Sequence, residues 1–287
     1  MSPSGPHGAA RELAGALAET LGTREARWVL EDLGAPPGGP LTAEQERAAL
    51  ALAARRGAGE PLQYVLGHWP FRQLDLLVDR RALIPRPETE WVTDVALAEL
   101  DRLVALGAPP RVVDLGTGTG AIALSIATER VAYDVEVTAT DVDPGALELA
   151  RANHERVGSP SSVRWRAGSW WEALDSSARG RVSLVVANPP YVAPLEWEVL
   201  DPVVRDHEPR GALVAGAGSD GTPGFAAVEA VLAGAPEWLG RPGTVVVEIA
   251  PSQEGAAVWA AGRSGSAESR VLADLAGRPR ALVARWE

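Results

Sequence analysis

Two short segments carry residues whose types and spacing can do chemistry together. Asn188-Pro189-Pro190-Tyr191 closes the apolar run Val182-Ser183-Leu184-Val185-Val186-Ala187, and upstream Val112-Val113-Asp114-Leu115 leads into Gly116-Thr117-Gly118-Thr119-Gly120. A planar amide or exocyclic amine has a delocalised lone pair and two N–H groups, so two acceptors that grip its protons can aim it. The Asn188 side-chain oxygen and the Pro189 carbonyl suit that task, because consecutive prolines fix the turn and remove competing N–H donors. Tyr191 offers a flat face for the planar group. Asn188, Pro189 and Tyr191 are the candidate catalytic residues, and with Pro190 they form the candidate substrate clamp. The glycine segment lets the chain turn sharply after a strand and approach a nucleotide, with the next helix's amino end facing the crevice. In this order the two segments read as methyl transfer from S-adenosyl-L-methionine to a planar nitrogen. That reaction is an in-line displacement, in which the protein must mainly place the lone pair behind the methyl carbon and exclude water.

The candidate cofactor residues are Gly116, Thr117, Gly118, Thr119, Gly120, Asp141, Trp170 and Asn188. Asp141 follows Gly116 by 25 residues at the tip of the next strand, near the ~20 expected of the acid that takes ribose hydroxyls. Asp143-Pro144 supplies the neighbouring helix start, which leaves Asp141 free for a ligand. Trp170 is placed to pack on an adenine ring, although with ten tryptophans in the chain a core role is equally open. A nicotinamide cofactor fits less well, since hydride transfer has no use for Asn-Pro-Pro-Tyr and the glycine loop carries no arginine for a pyrophosphate.

These residues need a scaffold, and the pattern supplies one. Thr42 and Gln45 form a capping box before an alanine-rich helix, and the apolar spacing of residues 11–66 predicts a small all-helical domain after a tail, residues 1–10, expected to be disordered. Residues 67–87 alternate in the manner of a short β-hairpin linker. From residue 88 to 287 strands and helices alternate: Arg111 to Leu115, Val135 to Thr140, Val163 to Arg166, the run ending at Asn188, and Thr244 to Ile249 are the strands, with two more near the end. This predicts an α/β fold, a Rossmann-like domain with a doubly wound, mostly parallel sheet and a crevice at the carboxyl ends of its strands. Asp114, Asp141, Ser169 and Asn188 all fall at or just past such ends.

Composition narrows the class. The 287 residues are 46% hydrophobic and 23% charged, as in globular proteins. No apolar run of membrane-spanning length occurs, and the opening residues lack a signal peptide's pattern, so the expected address is the cytoplasm, without membrane association. With no cysteine and no lysine, thiolate metal sites, cysteine nucleophiles, P-loop lysines and Schiff bases are excluded, and no metal is expected. A net charge of -11 argues against stable nucleic-acid binding.

The segments DLGTGTGAIALSIA and NPPY, together with GEPLQYVLGHWPFRQLDLLVDRRALIPRPETE upstream and HEPRGALVAG downstream, resemble the HemK/PrmC family, the glutamine N(5)-methyltransferases of peptide chain release factors. Asn-Pro-Pro-Tyr is shared with methyltransferases of DNA and RNA amino groups, whereas Ile84-Pro85-Arg86-Pro87-Glu88-Thr89-Glu90 is far more specific. The resemblance implies that Gly116 to Gly120 cradle the methionine and ribose, that Asp141 holds the ribose, that Trp170 neighbours the adenine, and that Asn188 to Tyr191 clamp the glutamine of a Gly-Gly-Gln sequence in release factors, the expected protein partners. Ser169 stands where such enzymes often place an acid for the adenine amino group, which implies a weaker contact or one made by backbone. Glu208 reads as a loop salt bridge. The alternatives are the sister activity on a ribosomal-protein glutamine, a nucleic-acid amino-group methyltransferase, and a binding module for S-adenosylmethionine or a translation factor without turnover.

Overall fold

A computed structural model describes residues 15–36, 39–159 and 161–287. The expected tail, residues 1–10, and the start of the first expected helix, residues 11–14, lie outside the described residues. The chain divides into two compact units, one of the described residues up to His68 together with Asp201–His207, the other of Trp69–Leu200 and Glu208–Glu287.

The first unit is helical. Residues 15–21 are helical and are followed by α1 (Thr23–Asp32), α2 (Ala43–Gly57) and α3 (Leu62–Leu66). The capping box is present: Gln45 N–H donates to Thr42 Oγ1 at 3.1 Å, and Thr42 N–H donates to Gln45 Oε1 at 2.9 Å. Glu44 and Glu46 in the first turn of α2 and Arg55 and Arg56 in its last complement the helix dipole. Arg55 also joins Glu60 and the carbonyls of Tyr64 and Val65, which ties α2 to α3.

A hairpin, β1 (His68–Phe71) and β2 (Leu74–Leu77), in the second unit from Trp69 onward, leads to α4 (Pro87–Ala105). Then come β3 (Arg111–Leu115), α5 (Ala121–Glu129), β4 (Glu136–Asp141), α6 (Pro144–Val157), β5 (Val163–Ala167) and β6 (Val182–Ala187). The chain finishes with α7 (Pro202–Arg205, in the first unit), α8 (Ala226–Trp238), β7 (Leu239–Glu248), α9 (Glu254–Arg263), β8 (Glu268–Ala273) and β9 (Pro279–Trp286). The seven strands run in the order β5-β4-β3-β6-β7-β9-β8. All pairs up to β7 are parallel, and β9 is antiparallel to both neighbours. The expected mostly parallel, doubly wound sheet is observed.

Each central strand is apolar on both faces, as a sheet covered twice by helices requires. Val112, Leu184, Val186 and Val246 join the core beneath α4 and α5, which also takes Phe71, Leu74 and Leu76 of the hairpin. Val113, Val185, Val245 and Val247 join the opposite core, against α8 and α9. The chain runs β3, β4, β5 outward in one direction and returns to β6 on the other side of β3. That reversal opens a crevice at the carboxyl ends of the strands, where a ligand site belongs. The registers Leu115↔Thr140, Leu115↔Ala187, Asp141↔Ala167 and Ala187↔Val247 bring Gly116, Asp141, Gly168, Asn188 and Glu248 to one edge of the sheet.

Candidate active site

A cavity of about 290 Å³ opens at this edge, between the glycine loop, the tips of β4 to β6 and the Ile84-to-Thr89 segment. Of the residues singled out by sequence, Gly116, Thr117, Gly118, Thr119, Asp141, Trp170, Asn188 and Pro190 line it, as does Ser169. Gly120, Pro189 and Tyr191 do not.

The glycine loop is wired inward. The N–H groups of Gly116 and Thr117 both donate to the Thr140 carbonyl at 2.9 and 2.8 Å, and Gly120 N–H donates to Thr117 O at 2.9 Å. Gly118 N–H donates to Asp141 Oδ2 at 2.9 Å. With those amides committed, the loop is poorly equipped to cradle phosphates, which need convergent free N–H groups. The two guanidinium groups on the cavity wall are engaged as well, Arg81 with Asp79 and Arg86 with Glu208. The donor set suits an uncharged nucleoside portion better than a pyrophosphate. Gly116 has a backbone reason to be glycine: its φ is 74°, in the left-handed region, while a Cβ there would only touch the Trp170 ring at an ordinary 3.6 Å. Trp170 itself holds a left-handed φ of 45°, a conformation costly for a bulky residue, and its indole lies beside the glycine turn. Gly120, also expected in the cofactor set, does not line the cavity. It faces packing, since a Cβ there would meet Trp165, Ala150 and Leu124 at 3.2–3.3 Å, the task of a glycine that lets helix and strand approach closely.

Asp141 ends β4 with both carboxylate oxygens engaged, Oδ2 by Gly118 N–H and Oδ1 by Asp143 N–H at 2.9 Å. Burial raises its pKa, and the backbone donors of Asp143 and Gly118 oppose that shift. Each oxygen keeps a further lone pair for a ligand hydroxyl. Asp143 is the N-cap of α6, accepting from Gly145 N–H at 2.7 Å. Behind the loop, Asp114 is fully buried. Its Oδ2 accepts from Thr117 Oγ1 at 2.6 Å and Ala123 N–H at 3.2 Å, while Oδ1 has no partner among the described residues. Burial pushes its pKa up to about 7 against those two donors.

On the acceptor side, Asn188 donates from Nδ2 to Thr89 Oγ1 at 3.0 Å, and Thr89 donates to Glu248 Oε2 at 2.7 Å. Tyr191 turns away from the cavity wall to place its hydroxyl 3.4 Å from Glu248 Oε1. Pro190 and not Tyr191 lines the cavity, and the polar end of the phenol has a buried partner in Glu248. Burial raises the Tyr191 pKa, and the charge of Glu248 adds to it. Glu248, 1% exposed, is pushed up to about 7 by burial, with the Thr89 hydrogen bond and Arg280 opposing. The expected Glu208 salt bridge is present but buried: Oε2 accepts from Ile84 N–H at 3.1 Å and Oε1 pairs with Arg86. Thr89 and Glu248 are the residues that sequence reasoning misses. The distinctive Ile84-to-Glu90 segment is the available signal for the first of them.

Comparison with known proteins places this geometry in a family. The chain matches the Methyltransferase small domain family over residues 93–207 and the PrmC N-terminal domain family over residues 7–67. It is 40% identical to a release factor glutamine methyltransferase of Bordetella pertussis, over 91% of this chain and 89% of that one. The chain belongs to the release factor glutamine methyltransferase family. A second member, from Burkholderia pseudomallei, is 38% identical over 86% of this chain and 83% of its own length. The fold recurs in a methyltransferase from Pyrococcus furiosus, with a TM-score of 0.50 and 17% identity over 85% of this chain and 98% of that one. As a family member the chain is a methyltransferase, with the α/β domain and preceding helical domain that its sequence pattern predicts.

Proposed function

We propose that this protein methylates the side-chain amide of the Gly-Gly-Gln glutamine of peptide chain release factors, using S-adenosylmethionine, in the cytoplasm. The observation that carries the reading is the placement of Asn188 on the same cavity as the glycine loop, Asp141 and Trp170, in a chain whose relatives share that activity by name over most of their length. Gly116 to Thr119 and Asp141 hold the nucleoside and methionine portions, Trp170 and Ser169 border the adenine, and the ribose hydroxyls bond Asp141. When bound, S-adenosylmethionine would supply an electrophilic methyl carbon on a sulfonium, the S–C electron pair staying with sulfur, and the one proton the nitrogen loses would leave along its hydrogen bond to Asn188 or Pro189 and reach water when the products are released. Asn188 Oδ1 and the Pro189 carbonyl accept from the glutamine N–H groups and aim the lone pair, and Pro190 packs beside the planar amide. Positioning of this kind, in a site that excludes water, is the main source of rate. Residues 11–66 dock the protein substrate, and residues 88–287 carry the chemistry.

Incubation with labelled S-adenosylmethionine and purified release factors, ribosomes and DNA, followed by mass spectrometry, tests the reading. Label on the Gly-Gly-Gln glutamine is the expected result. Label confined to a ribosomal protein or to DNA would overturn the substrate, and no transfer at all would leave only a binding module.

A further inference from the structure

A side-chain amide can present either its oxygen or its NH₂ to a substrate, and only the oxygen can grip a glutamine N–H. Asn188 has one neighbour that decides between them. Thr89 Oγ1 lies 3.0 Å from Asn188 Nδ2 and 2.7 Å from Glu248 Oε2. A hydroxyl has a single proton, and above about pH 7, where Glu248 is ionised and its carboxylate cannot donate, the Thr89 proton goes to Glu248. The Thr89 oxygen can then only accept, and the group of Asn188 that faces it must be NH₂. The Asn188 oxygen is left pointing away from Thr89.

We infer that Thr89 and Glu248 are positioning residues that fix the direction of a hydrogen-bond relay and thereby keep the Asn188 oxygen available to the substrate amide. The inference rests on the glutamine-methylation reading. Neither residue belongs to the motif that carries the chemistry. Thr89 sits in the first turn of α4 and Glu248 at the last residue of β7, 99 residues before and 60 residues after Asn188. Both are buried, at 5% and 1% exposure. The backbone of Thr89 is held independently, its carbonyl accepting from Thr93 Oγ1 at 2.8 Å, which leaves its hydroxyl to Asn188 and Glu248. Glu248 Oε1 meets Tyr191 Oη at 3.4 Å and Arg280 Nη1 at 4.0 Å, so its carboxylate is supported by a cation and a second donor on the side away from Thr89. A purely structural hydrogen bond would have no need of this polarity. An apolar side chain of equal shape at position 89 would fill the same space.

The test compares Thr89→Val, Thr89→Ser and Glu248→Gln in the full-length protein at mildly alkaline pH, with a purified release factor and S-adenosylmethionine as the substrates. Valine keeps the volume and loses the hydroxyl, serine keeps the hydroxyl, and glutamine can donate to Thr89 and so release the relay's direction. The expected result is a kcat for Thr89→Val at least about tenfold below that of Thr89→Ser. Glu248→Gln should fall similarly, with the Kd for S-adenosylmethionine of all three close to wild type and the melting temperature of Glu248→Gln at or above the wild-type value, since nothing at position 248 then ionises in a buried site. Equal kcat for Thr89→Val and Thr89→Ser, in a wild-type background that does methylate glutamine, overturns the relay alone. A loss of cofactor affinity or melting temperature that tracks the loss of kcat also overturns it, assigning the network to the fold. A wild-type protein that leaves the glutamine unmodified removes both this inference and the reading beneath it.

Discussion

Asp141 and Asn188 each do two things, and their substitutions separate the two. Asp141 accepts from Gly118 and Asp143 N–H groups while facing the cavity, so Asp141→Ala removes the proposed ribose acceptor and also slackens the loop that forms the cradle. S-adenosylmethionine should bind about 1.5–3 kcal/mol more weakly, the range of charge-assisted hydrogen bonds, with the fold retained; unchanged affinity by calorimetry in a folded variant would falsify the ribose assignment. Asn188→Ala should lower kcat roughly a hundredfold or more and leave cofactor affinity largely intact, because a positioning contact matters most in the transition state. From sequence alone Asn188→Asp looks the milder change, since a carboxylate keeps an acceptor for the substrate N–H. The structure reverses that order. Thr89, already committed to Glu248, would face a second carboxylate with no proton to give it, and the added charge would displace or protonate the side chain. Activity of Asn188→Asp equal to or below that of Asn188→Ala, measured at saturating cofactor, is the expected outcome; clearly higher activity for the carboxylate would show that acceptance at this position needs no fixed orientation.

At the scale of elements, what the sequence made legible was local and what it hid was distant. Strand β3 and helix α6 lie where their residues predict, because Val112-Val113 ends in a glycine turn and α6 starts at an Asp-Pro cap and stops at Gly158, whose φ is 64°. Strand β7 starts at Leu239, five residues ahead of the expected Thr244. Its first residues, Gly240 to Gly243, carry no apolar alternation and are drawn into the sheet by pairing across a bulge opposite Val182 and Leu184. The proposed acceptor site shows the same division: the Asn-Pro-Pro-Tyr string marks its position, but the Asn188 hydrogen-bond partner Thr89 comes from α4 and the Tyr191 partner Glu248 from β7, and nothing local tells which way the Tyr191 ring turns. Glu208 is another such partner. It joins the loop after β6 to Ile84 and Arg86, so the two segments that border the cavity share one buried carboxylate. Glu208→Ala leaves Ile84 N–H and the half-buried Arg86 unpaired and should destabilise the protein by about 1–3 kcal/mol, discounted because Arg86 keeps access to water. It should also open the loop to proteolysis. Denaturant unfolding and limited digestion check both, and wild-type behaviour in each would reduce Glu208 to a surface pair.

For the whole molecule, every residue placed on the cavity belongs to the second unit, so removing residues 1–68 should leave the S-adenosylmethionine Kd within about threefold while lowering methylation of an intact release factor. A truncated, folded enzyme with full activity on that factor would remove the proposed docking role. The charge balance sets a second global property. Asp79 and Asp101 are held below the ordinary carboxylate range by Arg81 and Arg130, so the stability they add is present above pH ~4 and is lost on further acidification. Asp114 and Glu248 act in the opposite sense, both pushed up to about 7 by burial. Because their folded pKa values exceed the unfolded ones, their contribution is complete below about pH 4, and it is lost progressively as pH rises to about 7, where each must ionise in a buried site. At ~1.4 kcal/mol for each tenfold change in proton affinity, each carries a ceiling on the order of 3–4 kcal/mol. The melting temperature should therefore fall between about pH 4 and 7 and level off above that. Asp114→Asn isolates one share of the fall, since its amide oxygen can still accept from Thr117 and Ala123 while nothing at the position titrates. That variant should melt with a visibly flatter pH dependence than wild type over the same range. An equally steep decline would mean that Asp114 is already ionised in the fold, with its unpartnered oxygen solvated by ordered water.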